Sequence, residues 1–474
     1  MAKDTSAKRI MEPAREIDVY READVVVVGG GPGGVGAAVA AARNGADTVL
    51  VERYGYLGGM ATGGLVTAIP NMSDRFGKQL IGGICWEWIK RLDEWDAAYY
   101  PKPKELGTKD KLLVKLWGDR SFFVVRLGTV VLSVNIDPEI MKCLLNEMAE
   151  EAGVKLLFHS WGTQSIVEGN EVKGIIFESK SGRQAILAKT VIDSTGDGDL
   201  LPSAGAAFVD DIDPKLRIKK LSLEFMMGNV DTDRAQDFRY SQPQRHAELM
   251  SELEKMGGFP GGGRMFFKSG LKDQDSFVMF DQRYNVSSQT DVDELTRIEI
   301  LGRKTILKTY EFYKKYIPGF EHCYLGLSAP QLGTRGARRI IGKYTLSAKD
   351  MDSLEVFEDT IAIFPDVDRG ESSLKHPHMY MPYRCLVPEK VENLLVACRA
   401  FASDDVTNNV FNLIPHCIAL GEAAGTAAAI AVKKGIKPGC VDIRELQERL
   451  IKQGVILPEE IKVMGQAKAM AGKK

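Results

Sequence analysis

No C-x-x-C pair occurs in this sequence. Its seven cysteines, Cys85, Cys143, Cys323, Cys385, Cys398, Cys417 and Cys440, are odd in number and scattered. That pattern argues against a disulfide framework and an iron–sulfur centre, and it fits a reduced, cytoplasmic compartment. Neither sign of charge is in excess: 62 basic residues face 64 acidic ones, for a formal charge of −2. A general nucleic-acid binder would carry a basic excess, so no nucleic-acid partner is expected. The N-terminus lacks the basic, apolar, small-residue order of a signal peptide. Val25–Ala42 is uncharged over about the length of a membrane span, but Gly29, Gly30, Gly31, Pro32, Gly33, Gly34 and Gly36 interrupt it. A turn exposed to lipid would leave backbone groups unpaired, so the stretch reads as strand, turn and helix, and no membrane partner is expected.

What is present divides into blocks. At 474 residues the chain is too long for one compact core and suggests two intertwined domains. Residues 1–22 are charged and aperiodic, an N-terminal arm. Val25–Val28 is a β-branched run, as in a strand buried on both faces. A helix over Ala37–Arg43 and a second buried strand, Thr48–Val51, complete a β-α-β unit. Asp137 and Pro138 open a helix reaching about Ala152, since Asp caps and Pro suits the first helical position. Strands follow near 164–168, 172–179 and 184–188, and another buried strand begins at Val191-Ile192. Residues 211–375 are richer in aromatic and charged residues, with a helix over about 293–316. From Asn393 the buried pattern returns as Leu394–Ala397, then a small-residue helix from Pro415 to about Val432.

The strand Val25–Val28 runs directly into G-x-G-x-x-G at Gly29, Gly31 and Gly34, with Pro32 and Gly33 between. Gly29 permits a tight turn, Gly31 lets a pyrophosphate approach the backbone, and Gly34 lets helix pack on strand. The helix N-terminus then offers unpaired N–H groups and a positive dipole end. Glu52, at the end of the next strand, stands where a carboxylate accepts ribose hydroxyls. These features predict a dinucleotide. A second glycine cluster directly follows: Arg53-Tyr54-Gly55-Tyr56-Leu57-Gly58-Gly59-Met60-Ala61-Thr62-Gly63-Gly64. It suits a ligand that continues past its pyrophosphate, as FAD does and NAD does not.

The run E-R-x-G-x-L-G-G-x-A-T resembles flavoproteins of the glutathione-reductase-like superfamily, within it the FAD-dependent oxidoreductase family. Two further segments carry the resemblance. Asp193-Ser194-Thr195-Gly196-Asp197-Gly198-Asp199 is similar to the family's strand-ending T-G-D segment, although alternating Asp and Gly would also suit an acidic loop or a calcium site. The stretch from Tyr383 through Arg399 and Ile414-Pro415 to Ala427 is similar to the last FAD segment. The resemblance implies FAD as cofactor, bound by Gly29, Gly31, Pro32, Gly33, Gly34, Glu52, Arg53, Gly58, Gly59, Met60, Ala61, Thr62, Gly196, Asp197, Ile414 and Pro415. It also implies an α/β fold: a Rossmann-like FAD-binding domain with a central parallel sheet, helices on one face, a small β-meander on the other, and an inserted α+β cap. The FAD domain is expected to be discontinuous over 23–77, 135–210 and 376–440. The cap would take 78–134 and 211–375, and 441–474 would form a C-terminal helix and tail. The sequence departs from the family at Cys398, commonly Gly, and at Asn412, often Arg.

Two absences narrow the chemistry. No C-x-x-x-x-C follows the second glycine cluster, and no second G-x-G-x-x-G sits on a strand–helix turn. A redox disulfide and a dedicated NAD(P)H domain are therefore not expected, and Gly257–Gly263 reads as a loop. The expected reaction is hydride transfer between a small organic substrate and flavin N5. The alternatives are a flavin lyase, hydratase or isomerase without net redox, or an electron-transfer subunit; a homo-oligomer or an electron-transfer partner stays open. Catalytic candidates are His416, at the last helix's N-terminus where its pKa would be lowered, Tyr383 and Arg399, with Arg384 and His378 behind them. Arg335 and Arg338, in a cluster with Arg339, and also His376, are candidate substrate contacts. His376 and His378 lack a third ligand at close spacing, so no metal is expected.

Overall fold

The computed structural model describes residues 10–121, 123–258, 266–268, 278–366 and 369–461. Most of the Gly257–Gly263 loop lies outside the described residues, as do the ends of the arm and the tail.

The central sheet contains β1 (Val19–Val28), β2 (Thr48–Val51), β3 (Lys155–Leu157), β4 (Trp161–Glu168), β5 (Glu171–Ser179), β6 (Gly182–Asp193) and β7 (Leu394–Val396). Its order is β3-β2-β1-β6-β5-β4, with β7 pairing β6. The pairs β3-β2, β2-β1, β1-β6 and β6-β7 are parallel, whereas β6-β5 and β5-β4 are antiparallel. β6 thus serves both layers: Gln184–Leu187 pair with β5 in the meander, and Val191–Asp193 pair with β7. The sequence pattern divided this strand in two because Lys189 is exposed between two buried stretches. β1 also starts earlier than its apolar run, since Arg21 and Glu22 pair with Ile186 and Leu187. Val25–Val28 and Val49–Val51 are almost fully buried, as a covered parallel sheet requires.

Six helices position the rest: α1 (Pro32–Arg43), α2 (Gly83–Glu94), α3 (Pro138–Glu151), α4 (Val292–Tyr316), α5 (Ile414–Lys434) and α6 (Ile443–Lys452). α1 begins five residues before its sequence pattern does. Gly33 and Gly34 are poor helix formers, but tertiary contact demands them there. α3 starts as expected: the Asp137 side chain accepts from the backbone N–H groups of Glu139 and Ile140, and Pro138 takes the first helical position. α5 is long and apolar enough to cross a membrane by length and composition, but 94% of its apolar window is buried in the interior.

α1 and α5 pack backbone to backbone. A Cβ on Gly421 would sit 2.0 Å from the Gly33 carbonyl oxygen, and one on Gly425 2.0 Å from that of Ala37. The small residues of α5 therefore serve its contact with α1.

The main apolar core spans Val25 to Leu450. It includes Ile84, Trp88, Ile340, Ile361, Phe364 and Met381, which come from sequence outside the cofactor motifs. A second cluster, centred on Leu223, Phe225, Met227, Ile306, Phe312 and Phe320, forms the α+β cap. There an antiparallel sheet centred on Lys220–Gly228 pairs with Val278–Asn285, Tyr324–Ser328 and Gly333–Thr334, and α4 packs on it.

Candidate functional site

The glycine turn after β1 is built for a close ligand. Gly29 has φ 96°, a conformation that favours glycine, and its added Cβ would lie 2.5 Å from the Ser194 carbonyl oxygen. A Cβ on Gly34 would lie 1.7 Å from the Gly29 carbonyl oxygen, so the helix can begin only on glycine. A Cβ on Gly31 meets nothing within 4 Å. Gly31 therefore faces open space at the N-terminus of α1, where unpaired amides and the dipole favour a phosphate. Gly33 presses on β7, its Cβ position 2.0 Å from the Ala397 carbonyl oxygen.

The second glycine cluster docks onto the first. Gly58 N donates to Gly30 O at 2.8 Å, and Gly58 and Gly59 both have positive φ. Thr62 Oγ1 donates to Leu57 O at 2.6 Å, which closes the turn. Ala61 and Thr62 are buried beneath it. Glu52 is 7% exposed: Oε2 accepts from Gly30 N at 2.6 Å and Oε1 from Tyr54 N at 2.8 Å. Burial raises its pKa, and the amides of Tyr54 and Gly30 oppose that rise. A carboxylate keeps acceptor capacity beyond two such bonds, enough for ribose hydroxyls.

The T-G-D segment is pinned from below. Asp193 is fully buried; Oδ1 accepts from Thr195 N and Oγ1, and Oδ2 accepts from Leu200 N. Gly196 has φ 92°, and its Cβ would lie 2.5 Å from Arg399 Nη1. Arg399 donates to Asp197 Oδ1 at 2.8 Å and also to Thr334 Oγ1. Burial works against the Arg399 charge, yet Asp197 holds its pKa above the ordinary value. Asp199 pairs with Arg338 at 3.3 Å. Burial first, then the neighbouring Asp197 and Asp193, push its pKa up to about 6. These acids are thus engaged by arginines and backbone amides. Among the described residues no three His, Cys, Asp or Glu side chains converge as a metal site would need.

Together these segments wall a cleft of about 740 Å³ including its mouth, bounded by Gly29, Gly31, Pro32, Gly33, Glu52, Arg53, Gly59, Met60, Gly196, Asp199 and Arg399. Ser160, Trp161, Gly162, Gln331, Thr334, Cys398 and Cys417 complete the wall. The sequence motifs contain only Cys398 and Cys417 of these. Gly162 did carry a signal, as a lone glycine in a strand: its Cβ would lie 2.5 Å from the Val28 side chain. At the rim the Arg53 guanidinium stands 4.9 Å over the Tyr54 ring and 5.7 Å from Trp161. Cys398 takes the family's Gly position without closing the cleft. Burial raises the Cys398 pKa and pushes that of Cys417 up to about 11, which disfavours the thiolate form of both.

Several candidates are not brought to this cleft. His416 is fully buried, its ring stacked on Phe364 at 4.3 Å and edge-on to Phe411 at 5.5 Å. The helix start does place it one residue before Cys417, but its side chain turns into the core. Tyr383 is also buried, and its hydroxyl donates to Pro438 O at 2.9 Å. Arg384 pairs with Asp359, and Arg339 with Asp405. The Arg335 carbonyl accepts from Asn412 Nδ2 at 2.8 Å, which links the cap segment to a residue two positions before α5. Ile414 and Pro415 form the buried first turn of α5. His376 and His378 line neither this cleft nor the space adjoining it, and His378 lies near Asp74 and Lys78. Arg338 lines an adjoining space of about 1200 Å³ shared with Asp197, Asp199 and the α4 residues Val292, Leu295 and Glu299.

The open position at Gly31, the forced glycines around it and the acceptor at Glu52 fit the ADP half of FAD. No curated protein sequence matches the chain. Solved structures align over most of its length at low identity. A geranylgeranyl bacteriochlorophyll reductase-like protein of Thermoplasma acidophilum is 16% identical, over 92% of this chain and 84% of that one, with TM-score 0.43. The p-nitrophenol 4-monooxygenase of Pseudomonas putida DLL-E4 is 11% identical, over 91% and 85%, with TM-score 0.44. The myxobacterial chondrochloren halogenase is 12% identical, over 91% and 78%, with TM-score 0.42. Likeness at this level leaves the activity to be argued from the site. The family model for FAD dependent oxidoreductases, by contrast, matches residues 24–450, nearly the whole described chain, and this enzyme belongs to that family, with FAD as its cofactor.

Proposed function

We propose that the protein is a flavoenzyme of the glutathione-reductase-like superfamily that oxidises or reduces a small organic molecule. Bound FAD supplies the hydride-accepting or hydride-donating centre, flavin N5. The observation that carries this reading is the single glycine-walled cleft joining the β1–α1 turn, the second glycine cluster, the T-G-D segment and the first turns of α5. In it the α1 N-terminus and Arg399 meet the pyrophosphate charge, and Glu52 accepts from ribose. The Gly58–Thr62 turn and Cys417 in the first turn of α5 would hold the ring. Asp197 and Thr334 fix the Arg399 guanidinium in place, an arrangement a lysine could not reproduce. Arg338 lines the adjoining space and its partner Asp199 lines both that space and the cleft, so a small substrate there would meet a paired cation and carboxylate.

The seven free cysteines suit a reduced, cytoplasmic setting. No C-x-x-x-x-C follows the second glycine cluster, which leaves the substrate itself as the hydride partner. The cap carries the substrate-facing wall. Anaerobic mixing of the FAD-loaded protein with a panel of small alcohols, amines, hydroxy acids and enones tests the reading. Lasting loss of the oxidised flavin's visible band with one compound alone is the expected result. Turnover without lasting bleaching would assign a non-redox flavin reaction instead, and protein that never retains FAD would remove the basis for both.

A further inference from the structure

Among the described residues that wall the FAD cleft, only Gln331 and Thr334 come from the cap. Thr334 is engaged with the T-G-D side. Its hydroxyl donates to Asp197 Oδ2 at 3.1 Å and accepts from Arg399. Gln331 is anchored elsewhere, since its backbone N donates to Gly63 O at 3.2 Å, at the end of the second glycine cluster. That cluster leaves the phosphate site as it proceeds. A Cβ on Gly59 would lie 2.9 Å from Gly31 Cα, whereas one on Gly64 would lie 2.9 Å from Met60 Cα.

The Gln331 side chain makes no hydrogen bond among the described residues. Its Oε1 is closed off without a partner, whereas Nε2 keeps an open surface in the cleft wall. An amide held in that way has given up water on one side and gained nothing from the protein, which costs stability. The fold does not need the side chain for its anchor: the bond to Gly63 uses the main-chain N–H, which any residue but proline supplies. Gly59 and Met60 line the same cleft, and their amides begin the Gly59–Ala61 turn without a partner inside it. The polar atoms of the ADP half are met by the α1 amides, Glu52 and Arg399, so this end of the cleft has donors left over.

We propose that Gln331 is the cap's flavin-recognition residue, resting on the reading that the ring lies against the Gly58–Thr62 turn. Its side-chain amide hydrogen-bonds the pyrimidine end of the isoalloxazine, where two carbonyl oxygens flank an N–H. An amide carries both donor and acceptor, so it matches that edge whichever way it is turned. The ADP half gains nothing from it. The contact also bears on redox chemistry, because a donor at the ring's carbonyls favours the negative charge that reduction places there.

The test titrates full-length apoprotein with FAD and, separately, with ADP. Gln331→Leu keeps the approximate size of the side chain and removes its polar atoms. It should weaken FAD binding roughly five- to tenfold, about one hydrogen bond, and leave ADP binding within about twofold of wild type. Gln331→Glu sets a carboxylate against the ring's carbonyls and should weaken FAD further, again sparing ADP. In FAD-loaded protein both variants should move the flavin midpoint potential to more negative values. If Gln331 served only to pack the cap onto the cleft, Q331L would weaken FAD and ADP alike and lower the Tm, which overturns the proposal. Unchanged FAD affinity and potential in both variants overturn it as well. The underlying placement of the ring fails separately, in the wild type: FAD would then bind no more tightly than ADP, and the proposal would fall with it.

Discussion

Glycines occur at helix contacts in both the cofactor-binding region and the cap, but those between α1 and α5 and the one on α4 meet different things. At Gly33, Gly34, Gly421 and Gly425 the space a Cβ would need is taken by backbone carbonyl oxygens, at 1.7–2.0 Å. At Gly302, where α4 crosses the cap sheet, the nearest atom is Leu223 Cδ2, at 2.6 Å. A backbone clash can be relieved only by moving a helix or strand, whereas a leucine can change rotamer. The glycines between α1 and α5 are therefore intolerant of a change that Gly302 should absorb.

The largest effect is expected for Gly34→Ala. It should cost more than about 3 kcal/mol, beyond ordinary overpacking, and yield protein without bound FAD, read from the flavin-to-protein ratio and the Tm. Recovery of stable, yellow G34A protein would break the contrast.

Next is a buried charge in the cofactor region. Glu422 on α5 is 1% exposed, and its Oε2 accepts from Ile84 N at 2.9 Å, capping α2. Burial pushes its pKa from the ordinary 4.5 up to about 8. A carboxyl raised on folding contributes stability that is full below 4.5 and is lost as pH rises through about 8. Glu422→Gln should remove that loss, gaining on the order of 2–4 kcal/mol over wild type between pH 5 and 9 in denaturant titrations. A parallel decline in both proteins would reject it.

Arg399→Lys keeps the charge but not the geometry toward Asp197 and Thr334. FAD affinity should drop about tenfold, near 1.4 kcal/mol, in equilibrium titration of apoprotein. Unchanged affinity would show that the α1 N-terminus alone suffices. The smallest effect belongs to Gly302→Ala: a gain of about 1 kcal/mol in helix propensity against a shift of Leu223 leaves the stability within about 1 kcal/mol of wild type in denaturant titration, with full flavin content. A large loss there would make the two regions alike.

The same contrast governs what could be read from the residues alone. Where backbone meets backbone or ligand, one residue type fits, so the turn at Gly29–Gly34, Glu52 and the Gly58–Thr62 cluster were legible. The strand–helix–strand order around them followed from buried runs and from caps such as Asp137. Side-chain directions were not legible. His416 sits at the expected helix start, but nothing in its neighbourhood announces that Phe364 and Phe411 will cover it. Tyr383 is likewise spent on a carbonyl 55 residues away. Gln331 and Thr334 reach the cleft from a cap segment that carries no motif, because a polar wall can be made from many side chains.

The glycine contact between α1 and α5 has one more consequence. Gly33 lies level with Gly421, and Ala37 with Gly425, so the two helices run in the same direction. α5 begins about six residues ahead of α1 at that level, roughly 9 Å along the shared axis. Two electropositive tips are thereby set at a fixed stagger, like the marks on a ruler. A cofactor with one anionic group in its middle and another that develops at its far end would find both distances already measured.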